Sequence, residues 1–447
     1  MDPDTQGLIL RTEQALQAFY RGSTSPDERQ SAQKCLMEVQ DSTKAWQICW
    51  QLLDASKSVE SQYFGACMLH HKITRFWNEL PQDHYMNLKD EMIKCLAISA
   101  KGAKMVLSRL CTAMAAFILQ VIPEHWPNGC ESIINEIQSY SSLSPHEARF
   151  VTLEYLTVLP EEFNSAIVTG PKRTVVREKL EGLIPKVLEM LHFTLNSTEA
   201  ASVHTTALKC LNSWVEFGTS LFDCQKLLPI VLNKLNDATL IEVTSSVLVE
   251  LLSHPTSFKQ ENSVYAFLEQ LDGFEIILKK AIGDEDLETV TSICKILVAI
   301  GETHTNLIRQ ASTEKQQKHC LQLVNLILQC TDIKGRYPID ETCSELTFSF
   351  WYTFQDELLT VDPENVTNYH YYLRESFVAL IQILFRKVQL PDETLYADYA
   401  PEEKEMLRCY RQDIQDTIMY VYSLLREQCL HSLTELFKFL LSGMVIL

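Results

Sequence analysis

Apolar residues recur at helical spacing along almost the whole chain, and this pattern limits the fold more than any other feature. Leu287, Val290, Cys294 and Leu297 are spaced by three and four residues, which places them on one face of a helix. Only 13 glycines and 15 prolines occur among 447 residues, about half the usual share. No run of alternating apolar and polar residues is long enough to indicate a sheet. The sequence therefore predicts an all-α protein.

The helices are expected to come in pairs. The second helices of successive pairs are predicted to begin near residues 26, 59, 103, 145, 199, 238, 285, 339 and 400. Their mean spacing is about 47 residues, which is typical of HEAT repeats. A hairpin of this kind cannot bury its apolar face alone, so neighbouring pairs stack. The predicted fold is a HEAT-repeat superhelical solenoid of antiparallel helix pairs, forming a single array over residues 1–447. An ordinary all-α globule is the alternative, and the lack of a clear sequence break favours the array.

Two helix starts carry the same capping sequence. Ser25-Pro26-Asp27-Glu28 and Ser144-Pro145-His146-Glu147 each supply a capping serine, a proline in the first turn and a glutamate that can bond back to the cap. Both stretches therefore predict the start of a helix.

The sequence contains no motif of a known catalytic or metal-binding kind. The 14 cysteines include no CxxC pair and the 12 histidines are scattered, so neither a zinc site nor a redox motif is expected. Most cysteines lie within apolar helical patterns and are expected to be buried thiols of a protein in a reducing compartment. We expect no cofactor, no metal and no enzymatic activity.

Charge limits the possible partners. The net charge is −19, which argues against direct binding of nucleic acid or of an anionic membrane surface. The apolar stretches are too short for membrane insertion. Residues 355–427 and 261–288 are locally acidic, whereas residues 70–109 carry a small positive excess. Solvated outer faces would explain much of this charge. The sharper interpretation is that acidic helices attract a partner with a basic surface.

The stretch at residues 32–77 resembles the N-terminal domain of the importin-β (karyopherin-β) family. The features that carry the resemblance are Ala32, Leu36, Gln40, Trp46, Leu52, Leu53, Ala66, Leu69, Ile73 and Trp77. One departure is Leu69-His70-His71, where many members have Leu-Lys-Asn. The domain-like region is taken as residues 31–77, followed by further HEAT repeats over 78–447.

Further stretches are similar to one branch of this family and extend the resemblance from about residue 8 to about residue 435. They are QYFGA at 62–66, WQLL at 50–53, LTVLPEEF at 156–163, FWYTFQDELL at 350–359 and EKEMLRCYRQDIQDTIMYVY at 403–422.

The resemblance implies a nuclear transport receptor. Such receptors are monomers that shuttle between cytoplasm and nucleus and bind Ran-GTP, folded protein cargo and the Phe-Gly repeats of nucleoporins. Ran-GTP is implied to control cargo release or loading. The residues implied for a first Ran contact are Gln62, Phe64, His70, Lys72, Arg75, Lys104 and Arg109. Asp413 and Asp416, spaced by three on one helix, are implied for a second contact.

Two other classes stay open from the residues alone. One is a HEAT-repeat scaffold that assembles other proteins without dependence on Ran, and the other is an α-helical enzyme with a tightly bound cofactor. The apolar stretch at residues 436–447 is unlike the polar cap expected at the end of a solenoid. On that ground the chain is expected to be the N-terminal part of a longer receptor.

Overall fold

The computed structural model describes residues 3–21, 25–166 and 170–441. Within these ranges every regular element is a helix and no strand occurs, which confirms the all-α prediction. The contacts divide the chain into two compact units, residues 1–219 and 220–447. Of the apolar stretch discussed above, residues 442–447 lie outside the described ranges.

The first unit contains eleven of the described α-helices. They are α1 (Pro3–Tyr20), α2 (Pro26–Asp41), α3 (Ala45–Leu52), α4 (Val59–Arg75), α5 (Tyr85–Ser99), α6 (Lys104–Val121), α7 (Gly129–Gln138), α8 (Pro145–Ser165), α9 (Gly170–Glu181), α10 (Ile184–Leu195) and α11 (Ala201–Phe217). Short 3-10 turns at Trp77–Glu79 and Gln82–His84 lead into α5.

The second helix of each pair packs beside the second helix of the next pair. In the first unit this row runs α4, α6, α8, α11, with α3, α5, α7 and α10 packed against it as the other layer. The two layers approach closely at Gly65, where an added Cβ would lie 3.0 Å from the Cys49 carbonyl oxygen and 3.0 Å from Leu52 Cβ. A side chain at this position would push α4 away from α3, which explains the glycine in the QYFGA stretch.

Helix α6 is the most apolar helix of the row. By length and composition it could cross a membrane, but 67% of it is buried inside the protein. Burial by α4 on one side and α8 on the other accounts for its apolar surface. The composition of α6 is therefore that of a core helix.

The second unit contains the remaining twelve described α-helices. They are α12 (Leu228–Asn233), α13 (Ile241–Ser253), α14 (Glu261–Leu268), α15 (Leu271–Gly283), α16 (Leu287–Thr303), α17 (Thr305–Gln310), α18 (Glu314–Thr331), α19 (Phe348–Leu359), α20 (Asn368–Lys387), α21 (Glu393–Asp398), α22 (Pro401–Leu425) and α23 (Glu427–Leu441). Its 3-10 turns are Lys234–Asn236, Pro255–Lys259, Ser344–Thr347 and Pro363–Asn365.

A row like that of the first unit runs through α13, α16, α19 and α22, and α18 packs against α20 beside it. Helices α16 and α19 meet closely at Gly301, where an added Cβ would lie 2.7 Å from the ring of Phe350. Aromatic contacts among Phe350, Phe354 and Phe377 fill the core between α19 and α20. The second unit therefore repeats the packing scheme of the first.

The predicted helix starts agree with the structure at eight of nine positions, within three residues. Both capping boxes form: Ser25 and Ser144 accept from the backbone N–H of Glu28 and Glu147, and each glutamate accepts from its serine's backbone N–H. The start near residue 339 was wrong. The chain there is irregular around Gly335, whose φ of +118° suits glycine, and α19 begins only at Phe348.

Candidate functional site

A groove of about 1020 Å³ crosses the first unit. Helices α2, α4, α6, α8 and α9 all contribute side chains to it. The polar side chains along it are Gln40, His70, His71, Thr74, Arg75, Arg109, Gln120, Glu162, Ser165 and Lys172. Three of the residues predicted for the first Ran contact, His70, Arg75 and Arg109, come together here. We call this surface the cationic groove.

A relay of hydrogen bonds fixes the middle of the cationic groove. Arg109 Nη2 lies 3.0 Å from His70 Nδ1, and His70 Nε2 lies 2.9 Å from Glu162 Oε1. Arginine can only donate, so Nδ1 accepts and Nε2–H donates to the carboxylate. The relay thereby joins α6, α4 and α8, and it holds the Arg109 guanidinium in place at the groove.

Lys72 does not reach the groove. Its side chain is fully buried, and Nζ lies 2.6 Å from Glu79 Oε2 and 3.2 Å from the Ser42 carbonyl oxygen. The ammonium also lies 4.1 Å from the centre of the Phe76 ring, and Glu79 accepts a second bond from Trp46 Nε1. Lys72 as placed presents no atom to a partner, and its contacts are those of a structural residue.

Gln62, Phe64 and Lys104 also lie outside the cationic groove. Gln62 Nε2 donates to the carbonyl oxygens of Asp54 and Lys57, closing the turn before α4. Phe64 packs on the small core cluster of α1 and α2 that contains Leu16 and Leu36. Lys104 is exposed and pairs with Glu154 Oε1 at 2.9 Å. The structure therefore separates these residues from the three that share the groove.

Lys172 is a groove residue that the sequence argument missed. Its Nζ donates to the Gln120 carbonyl oxygen at 2.8 Å, and burial lowers the pKa of its ammonium while Glu124 partly opposes the shift. No ion pair involves Lys172 or Arg75 within the described ranges. The Lys172-Arg173 pair in the first turn of α9 was the available signal, but no sequence pattern shows where α9 packs.

The other predicted residues lie on the second unit. Asp413 and Asp416 project from α22, and the same helix buries Ile414 and Val421 on its opposite side. We group with them Glu345, whose charge raises the pKa of Asp413, and Glu302 of α16, which accepts a hydrogen bond from Ser349. Tyr352 and Asp356 follow Ser349 at helical spacing on α19 and complete the group. The rings of Tyr352 and Tyr420 join α19 to α22, with centroids 4.6 Å apart. We call this surface the acidic face.

Among the described residues, none of the five carboxylates of the acidic face forms an ion pair. Burial raises the pKa of Asp413, and the charges of Glu345 and Asp416 raise it further. Burial likewise raises the pKa of Glu302, although Ser349 donates a hydrogen bond to it. Asp413 therefore lies near two other carboxylates, those of Glu345 and Asp416.

The cysteines behave as buried thiols. All 14 are free, and most are buried. Cys294, Cys330 and Cys343 contact one another in the second unit, where hydrogen bonds from the other two thiols lower the pKa of Cys343 to about 5. In the described part of the chain no group of three or more His, Cys, Asp or Glu side chains is arranged to hold a metal ion.

Models of several protein families match successive parts of the chain. They are the importin-beta N-terminal domain (residues 32–97), Exportin 1-like protein (103–248), the Transportin-3/Importin-13 second TPR domain (285–386) and the Importin 13 repeat (389–428). The first model begins at Ala32 and includes α4, so it covers the stretch on which the family resemblance was based.

Individual proteins agree with these matches. Importin-13 of Mus musculus is 36% identical over 435 residues, which cover 97% of this chain and 45% of the mouse protein. The solved structure of importin-13 in its cytosolic state aligns with a TM-score of 0.72 at 26% identity, over 86% of this chain and 44% of that one. Kap95p, solved with RanGDP, aligns with a TM-score of 0.52 at 13% identity, over 96% of this chain and 50% of that one, and supports the fold alone.

These matches show that the chain is similar to proteins of the importin-β family, whose N-terminal domain model covers residues 32–97. Its sequence is similar to importin-13 along nearly its full length, as the stretches at 156–163 and 403–422 predicted. The alignment with the importin-13 structure confirms the solenoid fold class. The chain spans about half the length of the curated relatives it matches.

Proposed function

We propose that this chain acts in nucleocytoplasmic transport as a receptor that binds Ran-GTP and protein cargo. The observation that carries the proposal is the 36% identity to importin-13 over 97% of the chain, because it extends over both units and every surface described above. We further propose that the two units form one HEAT-repeat array, with residues 31–77 as the importin-β N-terminal-domain-like region and 78–447 as the following repeats.

The cationic groove is our candidate for the first Ran contact. His70 and Arg109 lie on it, fixed by the relay to Glu162, and Arg75 extends from the end of α4 without an ion pair in the described ranges. Prepositioned side chains lose little freedom on binding, which favours a specific contact. Within the proposal, Lys72 acts indirectly by holding α4 against the Ser42 and Glu79 region.

The acidic face is our candidate for the second contact. Its five carboxylates form no ion pair within the described residues, and a basic partner surface would relieve the repulsion of Asp413 by Glu345 and Asp416. The exposed rings of Tyr352 and Tyr420 would add cation–π contacts to arginine or lysine. Both Ran-GTP and basic cargo could use this chemistry, and Asp413 and Asp416 are the residues through which we propose to test it.

Phe-Gly repeats need apolar pockets, and one groove of the first unit fits that need. It measures about 460 Å³ and lies between α7, α8 and α10. Phe193 at its edge is 63% exposed, with the Arg149 guanidinium 5.0 Å from its ring centre. Met190 and Val187 supply further apolar surface. We propose this groove as a Phe-Gly pocket.

Directional transport would then follow from the thermodynamic coupling between Ran-GTP binding and cargo binding, without a reaction catalysed by the receptor. If Ran-GTP binding weakens import cargo, the cargo must weaken Ran-GTP by the same factor. High Ran-GTP on the nuclear side would release import cargo there. The proposal thus includes shuttling between cytoplasm and nucleus and a monomeric receptor without a cofactor.

A pull-down with immobilised Ran loaded with GTP or with GDP tests the proposal. The chain should be retained on Ran-GTP and lost from Ran-GDP, and a purified Phe-Gly repeat fragment should retain it regardless of nucleotide. Equal retention on both nucleotide forms, or none on either, would favour a scaffold that assembles other proteins without Ran dependence. Native mass spectrometry of the same sample would reveal a bound cofactor if the chain were an enzyme.

A further inference from the structure

The cationic groove holds more positive than negative charge. Arg75, Arg109 and Lys172 line it, and Glu162 is the only carboxylate among the described lining residues. Glu162 already accepts from His70, so it neutralises no cation directly. This imbalance is unusual in a chain whose net charge is −19, because most half-buried cations of such a protein have acidic neighbours to pair with.

The three cations are held in different ways, and each has donors to spare. Arg109 donates a hydrogen bond from Nη2 to His70, while its Nε–H is buried without an acceptor in the described structure. Lys172 gives one proton to the Gln120 carbonyl oxygen, and an ammonium has three. Arg75 is exposed at the end of α4. A buried donor without an acceptor costs free energy that an arriving acceptor recovers.

We propose that the cationic groove binds an acidic peptide segment of a protein partner, with Asp or Glu carboxylates paired to Arg75, Arg109 and Lys172. Guanidinium groups bind carboxylates in a planar, two-pronged geometry, which makes arginine well suited to this contact. The groove also offers apolar contact from Phe76, Ala116 and Leu119, where the aliphatic parts of a peptide can lie.

Charge complementarity favours a short acidic segment over a nucleic acid. A polyanion would follow the surface beyond the groove and meet the field of a protein with 58 acidic and 39 basic residues. A segment of a few residues fits within about 1020 Å³. It interacts mainly with the charges of the groove itself, because charges beyond the Debye length of about 8 Å are screened.

The inference rests on the proposed function in one respect, namely that the groove is a surface for a macromolecular partner. It does not require that partner to be Ran. A peptide assay in the absence of Ran therefore separates its failure from the failure of nucleotide-dependent binding in the pull-down.

The experiment is fluorescence anisotropy of the full chain with a labelled peptide of alternating Glu and Ser, compared with a Gln–Ser peptide of equal length. The acidic peptide should bind and the neutral one should not. Arg75→Glu combined with Lys172→Glu should weaken binding by about tenfold or more. Arg75→Gln combined with Lys172→Gln, which introduces no repulsion, should weaken it less, and thermal melting should show that both variants fold.

The matched control is Lys34→Glu combined with Lys318→Glu. Both lysines are exposed, line none of the described grooves, and give the same change in net charge. Binding by this control should equal that of the original chain. Any one of three results would overturn the proposal. They are an equal loss of binding in both glutamate variants, binding of the neutral peptide, and stronger binding of an RNA oligonucleotide than of the acidic peptide.

Discussion

The first and second units stack their helices by the same scheme, but their candidate surfaces, the cationic groove and the acidic face, differ in charge. In the first unit, carboxylates along the row of second helices bind a neighbour: Glu79 holds Lys72, Glu154 holds Lys104 and Glu162 holds His70. Arg75 and Lys172, two cations without an ion pair in the described ranges, line the cationic groove. In the second unit, Asp413 and Asp416 face Glu345 with no cation between them in the described structure.

This difference distinguishes charges that stabilise the fold through hydrogen bonds and ion pairs from charges that are available to a partner. A carboxylate bonded inside the first unit stabilises it, so its removal should cost stability. Asp413 of the acidic face is repelled by Glu345 and Asp416, so removal of its charge should cost no stability and should affect binding. Substitutions in the two units should therefore have different effects, mainly on stability in the first unit and mainly on binding at the acidic face.

The largest effect is expected from Glu79→Gln in the first unit. Glutamine keeps an acceptor for Trp46 but removes the anion beside the fully buried Lys72 ammonium. Leaving a buried charge without its partner should lower the free energy of unfolding by about 3 kcal/mol. Urea or thermal unfolding would measure the loss.

Lys72→Met is the control for that prediction. It removes the buried charge and keeps most of the side-chain volume, so it should cost less than about 1.5 kcal/mol. If Lys72→Met destabilised the protein more than Glu79→Gln, the structural role assigned to this ion pair would be wrong.

The next effect concerns binding by the acidic face. Asp413→Lys combined with Asp416→Lys should weaken Ran-GTP by about tenfold, because cations replace the two carboxylates proposed to contact it. Surface plasmon resonance with immobilised Ran-GTP would measure it. Asp398→Lys combined with Glu402→Lys changes the net charge equally at exposed positions on α21 and α22, and it should leave the affinity unchanged. If both variants behaved alike, Asp413 and Asp416 would be ordinary solvated residues.

The smallest effect is a pH dependence of stability. Burial and carboxylate neighbours raise the pKa of Asp413 above 3.8, so the folded protein binds this proton more tightly than the unfolded chain does. The contribution is therefore stabilising at low pH and is lost as pH rises from 3.8 through the raised pKa. Asp413→Asn should remove this dependence and, at neutral pH, stabilise the protein by about 0.3 kcal/mol. A loss of stability at neutral pH would contradict the repulsion inferred for the acidic face.

Local signals made most of the helix positions predictable. Ser25 and Ser144 cap their helices because the serine and the glutamate three residues later can bond reciprocally whatever the rest of the fold does. The predicted helix start near residue 339 was wrong because tertiary contacts determine the backbone conformation there. Glu341 is buried, pairs with Lys387 and accepts from Ser344, and this holds the chain in an irregular course up to Phe348.

The candidate sites were less predictable, for physical reasons. Lys72 follows Leu69 by three residues, so helical spacing places both on the same buried face. The family resemblance, in contrast, implied that Lys72 contacts Ran. His70 and Arg109 were named, but their link to Glu162 spans 92 positions in the sequence, and no local pattern encodes such a contact. Lys172 was missed for the same reason, since its place depends on how α9 packs near α6.

The most direct test of the account is the affinity of the purified chain for Ran in its two nucleotide states, measured by isothermal titration calorimetry at one ionic strength. The account predicts that Ran-GTP binds at least about tenfold more tightly than Ran-GDP, a difference of about 1.4 kcal/mol. Equal affinities for the two states, in a sample shown by circular dichroism to be folded, would contradict it.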